Sequence, residues 1–342
     1  MLMLDDQGVT VRTTSVHERP RPSDDSAPPR SNRLLLLVGI CVLALAALVV
    51  ALALTQRGES AAGPEPTLPA PSVAAETADR LSWAPPKLTS PTLVTVTATT
   101  PKIELRSDRD YIVKLPATPL LLSGGLRIEG GRNVVLLGGE IVVPPKSEAS
   151  DSRKRTGLLL KNQTGTIHVE GLRISGQDLA EGINLDQSEG ATVVLQNIHV
   201  ETVHGSRDGH HADVLQTWAG PARLRVDGLT GSTEYQGLFL LPQQFVDTPP
   251  EEFDLRRIVI TGEPDGANGG AAYLLWTDDV VPWLSARDIV LVDQRSDLEG
   301  MLRPPSVWAD AVELRTTAAG AALPAGTPGA SYVSPGYQEG TS

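Results

Sequence analysis

The chain has 342 residues and a formal net charge of −12, with 29 lysines and arginines against 41 aspartates and glutamates. Because this acidic balance repels phosphate backbones and the basic residues are scattered, nucleic acid is not an expected partner. The single cysteine, Cys41, excludes an intramolecular disulfide and a thiolate metal site. We therefore expect no cofactor and no bound metal, and a fold stabilised by burial and hydrogen bonds.

The strongest single signal is the uncharged apolar run LLLLVGICVLALAALVVALAL, Leu34–Leu54. As a helix it spans about 30 Å, the thickness of the hydrocarbon core of a bilayer. Four arginines flank the N-terminal side of the run, Arg19, Arg21, Arg30 and Arg33, and only Arg57 lies close behind it, which predicts a cytoplasmic N-terminus. We predict a single-pass protein of the cell membrane, with the lipid bilayer as the partner of Leu34–Leu54 and an extracellular C-terminal domain. A cleaved signal peptide is the alternative, since Ala51–Ala53 fits a small-x-small cleavage pattern.

Three segments have compositions that are unsuited to a packed core. Residues 1–33 are polar and proline-rich, which predicts a disordered cytoplasmic tail. Residues 55–91 alternate small residues with prolines and are expected to form an extended stalk. Residues 316–342 predict a low-complexity, mostly loose C-terminal tail, although Tyr332 and Tyr337 could fix it to the folded part.

Residues 92–315 contain short runs of valine, isoleucine and leucine bounded by glycine, asparagine and aspartate, and no convincing amphipathic helix. A weak repeat appears when the runs are aligned. We take as equivalent the apolar residues that follow a bend in each run, which are Ile141, Leu172, Ile198, Leu229, Ile258 and Ile289. A second series of runs alternates with the first and begins at Gly157, Gly182, Asp213, Gly237 and Ala272. One period of about 25–30 residues therefore holds three short strands, as in a stacked solenoid.

A β-sandwich is the alternative fold, but the Asp-Gly pairs do not lie between matched strands as hairpin turns would. The spacing and the runs GLRISG, QNIHVE and GINLDQS resemble the right-handed parallel β-helix proteins of the pectate-lyase-like group. This resemblance implies an all-β, right-handed parallel β-helix domain with a groove that holds a polysaccharide. The catalytic motifs of that group's lyases and hydrolases are not found, so the resemblance implies fold and ligand class. The acidic charge favours a neutral or basic ligand over a polyuronate.

The densest cluster of ionisable residues is DGHHADVLQTW, which precedes and enters a predicted strand. If Asp213 faces outward, a carboxylate of the preceding turn, Glu181 or Asp186, would lie about 5 Å away, as acid/base catalysis requires. The alternatives are a solvated polar turn, or a metal site that also uses His204. The catalytic candidates are Asp208, His210, His211 and Asp213.

Trp218 and Trp276 follow equivalent strands two turns apart, so their rings are expected about 10 Å from each other, close to the length of a disaccharide. Capping of the core is the alternative role for these rings. The candidates for substrate binding are Gln216, Trp218, Trp276 and Asp278. Two functions remain open: an enzyme that hydrolyses or eliminates an extracellular polysaccharide, and a non-catalytic envelope module that binds glycan or protein.

Overall fold

The computed structural model describes four stretches of the chain, residues 79–145, 155–207, 209–263 and 272–338. They all belong to one compact unit, Pro69–Ser342. The predicted cytoplasmic tail, the predicted membrane span Leu34–Leu54 and the first part of the predicted stalk lie outside these stretches. No helix within the four stretches is long and apolar enough to cross a membrane.

The domain is built from two parallel sheets, here called sheet A and sheet B. Sheet A has eight strands: β2 (Lys102–Leu105), β5 (Leu126–Gly130), β8 (Thr156–Lys161), β11 (Glu181–Asp186), β13 (Asp213–Ala219), β15 (Gln236–Leu240), β17 (Leu275–Thr277) and β19 (Leu302–Arg303). Sheet B has twelve: β1 (Thr92–Thr95), β3 (Tyr111–Lys114), β4 (Leu120–Leu121), β6 (Val134–Leu137), β7 (Glu140–Val142), β9 (Thr166–Glu170), β10 (Arg173–Ser175), β12 (Thr192–Val203), β14 (Arg223–Thr233), β16 (Glu252–Gly262), β18 (Leu284–Val292) and β20 (Val312–Arg315).

The helical structure near the end of the last turn is short. A 3-10 helix spans Glu299–Met301, and helix α1 spans Pro305–Trp308. The Trp308 side chain is fully buried and belongs to the main core. This aromatic residue packs against the last turn, where no further strand of sheet A follows β19 among the described residues.

Sheet B bends into two faces at one residue of each long strand. The bend residues have left-handed backbone conformations: Asn197 (φ 50°), Gly228 (φ 78°), Arg257 (φ 51°) and Asp288 (φ 55°). The strand register places these residues at the same level in successive strands. We call the part before the bend face B1 and the part after it face B2. From β3 to β19 the chain passes from B1 to B2 to sheet A in each turn, which confirms the predicted parallel β-helix with three strands per repeat.

The register agrees with most of the predicted alignment and corrects one member. Ile198, Leu229, Ile258 and Ile289 pair in succession, as expected. Ile141 pairs instead with Ile174, two residues beyond Leu172. The position opposite Leu172 is occupied by Gly139, where a β-carbon would lie only 2.4 Å from Leu115 Cδ1. Leu115 thus fills the space that an apolar side chain fills in later turns.

The corner between face B2 and sheet A shows complementary side-chain sizes. Gly182 packs against Val200, so that a β-carbon on the glycine would lie 2.7 Å from Val200 Cγ1. One turn later the sizes are exchanged, since Val214 packs against Gly231. Both valines are fully buried. Each corner therefore has room for one branched side chain. Because Val214 fills such a corner, the first three residues of β13 are all buried and do not alternate between buried and exposed.

The segment before β1 lies across face B1. The backbone N–H of Ser82 donates to Asp227 Oδ2 at 2.8 Å. Trp83 and Gln196 exchange two hydrogen bonds, from the Trp83 N–H to Oε1 at 2.8 Å and from Nε2 to the Trp83 carbonyl at 2.7 Å. Residues 79–91 thus run along the β-helix, although the sequence predicted a stalk.

The C-terminal segment lies on the same face and contacts the first one. The Leu81 N–H donates to the Gly336 carbonyl at 3.0 Å, and the Gln338 N–H donates to the Leu81 carbonyl at 2.8 Å. The hydroxyls of Tyr332 and Tyr337 both donate to Glu170 at 2.9 Å. Residues 316–338 differ from the expected loose tail because backbone groups and two tyrosines hold them.

Candidate functional site

The structure places five of the eight predicted site residues on or beside the strands of sheet A. Asp213, Gln216 and Trp218 belong to β13, Trp276 belongs to β17, and Asp278 follows it directly. Because side chains alternate along a strand, the buried Ile183 and Leu185 of β11 assign Asn184 and Asp186 to the outer face. In this register Asn184, Gln216, Phe239, Trp276 and Arg303 form one column across five strands.

Asp213 is paired with a second carboxyl. It lies in register with Glu181 on one side and Gln236 on the other. Glu181 Oε2 accepts hydrogen bonds from Thr156 Oγ1 at 2.7 Å and Asn184 Nδ2 at 2.5 Å. Burial raises the pKa of Asp213 well above its ordinary value, and the charge of Glu181 raises it further. Burial beside the Glu181 carboxyl thus favours the protonated form of Asp213.

Several polar atoms around this pair have no hydrogen-bond partner among the described residues. They are Asp213 Oδ1, Asn184 Oδ1, Gln216 Oε1 and both side-chain amide atoms of Gln236. Buried polar groups normally find partners, and ordered water or a ligand supplies those that the protein does not. The acid pair thus lies in a buried polar cluster, although only 1% of Asp213 and 8% of Glu181 is exposed.

The loop between β12 and β13 contains the remaining catalytic candidates. Asp208 lies outside the described residues. The His211 ring is exposed and lies 5.0 Å from the Tyr235 ring, and its Nε2 is 3.3 Å from the Arg207 carbonyl. No hydrogen bond joins His210 or His211 to Asp213 in the described part of the loop, so the predicted convergence with Asp213 is not observed. His204 pairs with Glu234 at 2.9 Å, and the described ranges contain no group of three or more His, Cys, Asp or Glu side chains placed to hold a metal ion.

Trp218 forms a wall of a cleft on sheet A. The register shift between β11 and β13 makes Trp218 the extra residue of a β-bulge, because Thr217 pairs with Leu185 and Ala219 pairs with Asp186. The cleft has a volume of about 280 Å³, and its lining includes Arg127, Leu159 and the ion pair between Lys161 and Asp186. It combines an aromatic ring with charged hydrogen-bonding groups on neighbouring strands.

Trp276 belongs to a separate aromatic cluster. Its ring lies edge-on to Phe239 at 5.0 Å and to Tyr273 at 5.5 Å between centroids. The Arg303 guanidinium lies 4.5 Å from the centre of the Trp276 ring and 5.4 Å from that of Tyr273. Trp276 is in register with Gln216 rather than with Trp218, so the two tryptophans stand two turns apart but in different columns.

Asp278 lies beside this cluster at the surface. Burial raises the pKa of its carboxyl, and the neighbouring Asp279 raises it further. The side chain remains exposed, unlike Asp213. Asp278 is therefore accessible to a ligand that contacts the aromatic cluster.

A larger cleft of about 710 Å³ lies on face B2. His199 lies in its lining, and its Nδ1 is 2.8 Å from Thr230 Oγ1. Burial lowers the pKa of His199, and the charge of Arg173 lowers it further. This imidazole is neutral near pH 7 and was not among the residues predicted from the sequence.

Several residues of the sheet A clefts were also absent from the predicted site: Arg127, Lys161, Asn184, Phe239, Tyr273 and Arg303. The signal that identifies them is the register. Counting one, two and three turns back from Trp218 reaches the strands of Asn184, Lys161 and Arg127. One turn before and after Trp276 lie Phe239 and Arg303, and Tyr273 precedes Trp276 by three residues. The predicted neighbours of Asp213 followed the same rule, and Glu181 is the one that pairs with it.

These features define the chain as a parallel β-solenoid protein with an aromatic and charged outer face on one sheet. No family model, curated protein or solved structure matches the chain. Its function must therefore be inferred from the site itself.

Proposed function

We propose that this domain binds a polysaccharide along the outer face of sheet A, outside the membrane that Leu34–Leu54 are predicted to cross. The observation that carries the proposal is the cleft formed by Trp218, Lys161, Asp186 and Arg127. An indole face stacks on the apolar face of a sugar ring, while charged side chains bind its hydroxyl groups. The resemblance of the repeats to the pectate-lyase-like group supports the same class of ligand.

A long ligand would contact more than one turn. In-register residues of neighbouring parallel strands lie about 4.8 Å apart, so the accessible part of the column, from Gln216 to Arg303, extends roughly 15 Å. This row places the Gln216 amide near the Trp218 cleft and aromatic rings near Arg303. The arrangement suits an extended chain of several sugar units.

The test is a binding panel of neutral, basic and acidic polysaccharides with the purified full chain. Loss of a stacking contact of about 1–2 kcal/mol predicts that Trp218→Ala weakens binding roughly 5- to 30-fold. Asp186→Asn should also weaken binding, because it removes the partner of Lys161. Glu313→Gln is the matched control, since Glu313 is an exposed carboxylate paired with Arg315 on the other sheet. Equal affinity of wild type and Trp218→Ala, or no binding across the panel, would contradict the proposal.

Cleavage of the bound chain is the second candidate function, and the Glu181–Asp213 pair favours it. A glycosidase needs one protonated and one ionised carboxyl, and in a retaining enzyme they stand about 5–5.5 Å apart. In-register neighbours about 4.8 Å apart fit that distance. Because both side chains are buried, turnover requires the site to open.

Release of reducing ends separates cleavage from binding. If the pair is catalytic, Asp213→Asn should abolish product formation and leave affinity unchanged. Binding without product in the wild-type chain would support the non-catalytic module. Product formation that survives Asp213→Asn would exclude this pair as the catalytic groups.

A further inference from the structure

Face B1 carries apolar side chains at the turns that the terminal segments leave open. Leu93, Ile112 and Leu137 point outward from β1, β3 and β6 and are 60%, 39% and 50% exposed. Leu93 pairs with Ile112, and Ile112 pairs with the buried Val135, so the register brings Leu137 level with the exposed Lys114, two residues after Ile112. The three exposed side chains are therefore close neighbours around Lys114, and we call them the first-turn patch.

The same face becomes polar where the terminal segments cover it. Leu137 is in register with Glu170, and the column continues through Gln196 to Asp227. These three polar residues are fully buried. Burial of polar groups beside exposure of apolar ones reverses the usual order, which indicates that a partner covers the first-turn patch.

Two segments that border the described stretches do not have the composition to cover apolar side chains. Residues 146–154 read KSEASDSRK, and residues 339–342 read EGTS. Neither contains a large apolar residue. These two segments are therefore not suited to cover the first-turn patch.

The charge around the patch indicates the chemistry of that partner. Residues 79–145 carry eight lysines and arginines against six aspartates and glutamates, whereas residues 155–338 carry 12 against 24. Lys114 lies two residues after Ile112 and is exposed on the same face. Of the described carboxylates, none forms an ion pair with Lys87, Arg109 or Lys114. The first turns are thus a basic region in an acidic protein.

We propose that the first-turn patch rests on an anionic lipid bilayer. The apolar side chains would enter the interface, and Lys114 with its basic neighbours would contact the headgroups. A second copy of the chain fits less well, because a symmetric contact would place two basic regions against each other. The proposal does not depend on the carbohydrate ligand.

The test uses the full chain in vesicles, with Cys41→Ser to remove the single native cysteine. An environment-sensitive fluorophore is attached at Thr95→Cys, an exposed residue two positions after Leu93 on β1. The matched control carries the fluorophore at Val280→Cys, which is 79% exposed and lies after β17. The quencher is a lipid spin-labelled near the headgroup, in vesicles of phosphatidylcholine with or without phosphatidylglycerol.

We expect quenching at position 95 and none at position 280, with stronger quenching in anionic than in neutral vesicles. Lys114→Glu should reduce the quenching, and Ile112→Gln should reduce it in neutral and anionic vesicles alike. Both residues are exposed, so both variants should keep the wild-type circular dichroism spectrum. Absence of quenching at position 95 in anionic vesicles overturns the proposal. A fluorophore that is shielded in detergent, in a chain that sediments as a dimer, also overturns it and identifies a second copy as the partner.

Discussion

Face B1 and sheet A differ in whether their buried carboxyl groups have hydrogen-bond partners. On face B1, Asp227 accepts two hydrogen bonds from Arg257 at 2.6 Å and one from the Ser82 backbone. On sheet A, Asp213 is equally buried, yet its Oδ1 has no partner among the described residues. Successive turns of a solenoid place strands at equivalent positions, but the groups that pack over those strands differ from face to face. The crossing segments supply hydrogen-bond partners to the buried polar groups of B1, whereas several buried polar atoms around Asp213 have no partner among the described residues.

The largest expected effect comes from breaking the ion pair on face B1. Asp227→Ala leaves the buried Arg257 guanidinium without its carboxylate, which should cost about 3–5 kcal/mol of unfolding free energy. Asp186→Ala on sheet A removes the partner of the half-buried Lys161 and should cost at most about 1 kcal/mol. Urea unfolding of both variants measures the difference. Similar losses of unfolding free energy in the two variants would show that the ion pairs of face B1 and sheet A contribute equally to stability.

A smaller effect of opposite sign is expected at Asp213. Because the pKa of Asp213 is raised in the folded state, the fold binds a proton that the unfolded chain loses above about pH 4. Stability is therefore lost as the pH rises through the unfolded pKa toward the raised folded one. Asp213→Asn should remove this cost and stabilise the chain by about 1–3 kcal/mol at pH 7, with little gain near pH 3.

Thermal unfolding of Asp213→Asn at both pH values provides the measurement. Asp278→Asn is the matched control, because Asp278 is exposed and should change stability by less than about 0.5 kcal/mol. Destabilisation by Asp213→Asn at pH 7 would show that Asp213 is ionised and paired in the folded protein.

The smallest expected effect concerns the two tyrosines over Glu170. Burial raises the pKa of Glu170, but hydrogen bonds from His168 and Ser334 and the charge of His168 outweigh it, so the pKa is lowered. A lowered pKa stabilises the fold above the unfolded value, and this contribution is lost as the pH falls through the folded pKa. Tyr337→Phe removes one donor and should cost about 1 kcal/mol at pH 7. An unchanged melting temperature together with unchanged proteolysis of the C-terminal segment would show that backbone contacts alone hold it.

The fold could be predicted because apolar residues recur at the interval of one turn. Ile198, Leu229, Ile258 and Ile289 mark the same buried position, and Ile141 is the one member of the predicted series that is out of register. The difference arises because Gly139 has no side chain and Leu115, which follows β3, fills its place. A single sequence does not show which neighbour fills such a gap.

The site could be predicted only in part, because burial and pairing depend on register. The sequence pointed to Asp213 and Trp218, and both lie on sheet A. It did not show that Asp213 is 1% exposed, or that Trp218 is the extra residue of a β-bulge with no residue of β11 directly opposite it. The packing of the terminal segments could not be predicted for another reason. Their hydrogen bonds come mostly from backbone groups, which every residue type has, so composition does not reveal them.

The parallel bridge between Leu81 and Tyr337 joins the segment before the first turn to the segment after the last one, and this affects how the domain unfolds. In an ordinary solenoid each repeat contacts only its neighbours, so the ends fray and partly unfolded forms are populated. Here a segment from the start of the domain is tied to one from its end, and both are tied to intermediate turns through Gln196, Asp227 and Glu170. Because of this long-range coupling, unfolding of an end turn also removes contacts that stabilise the intermediate turns. Unfolding should therefore be cooperative, with coincident transitions from probes placed in the first and last turns.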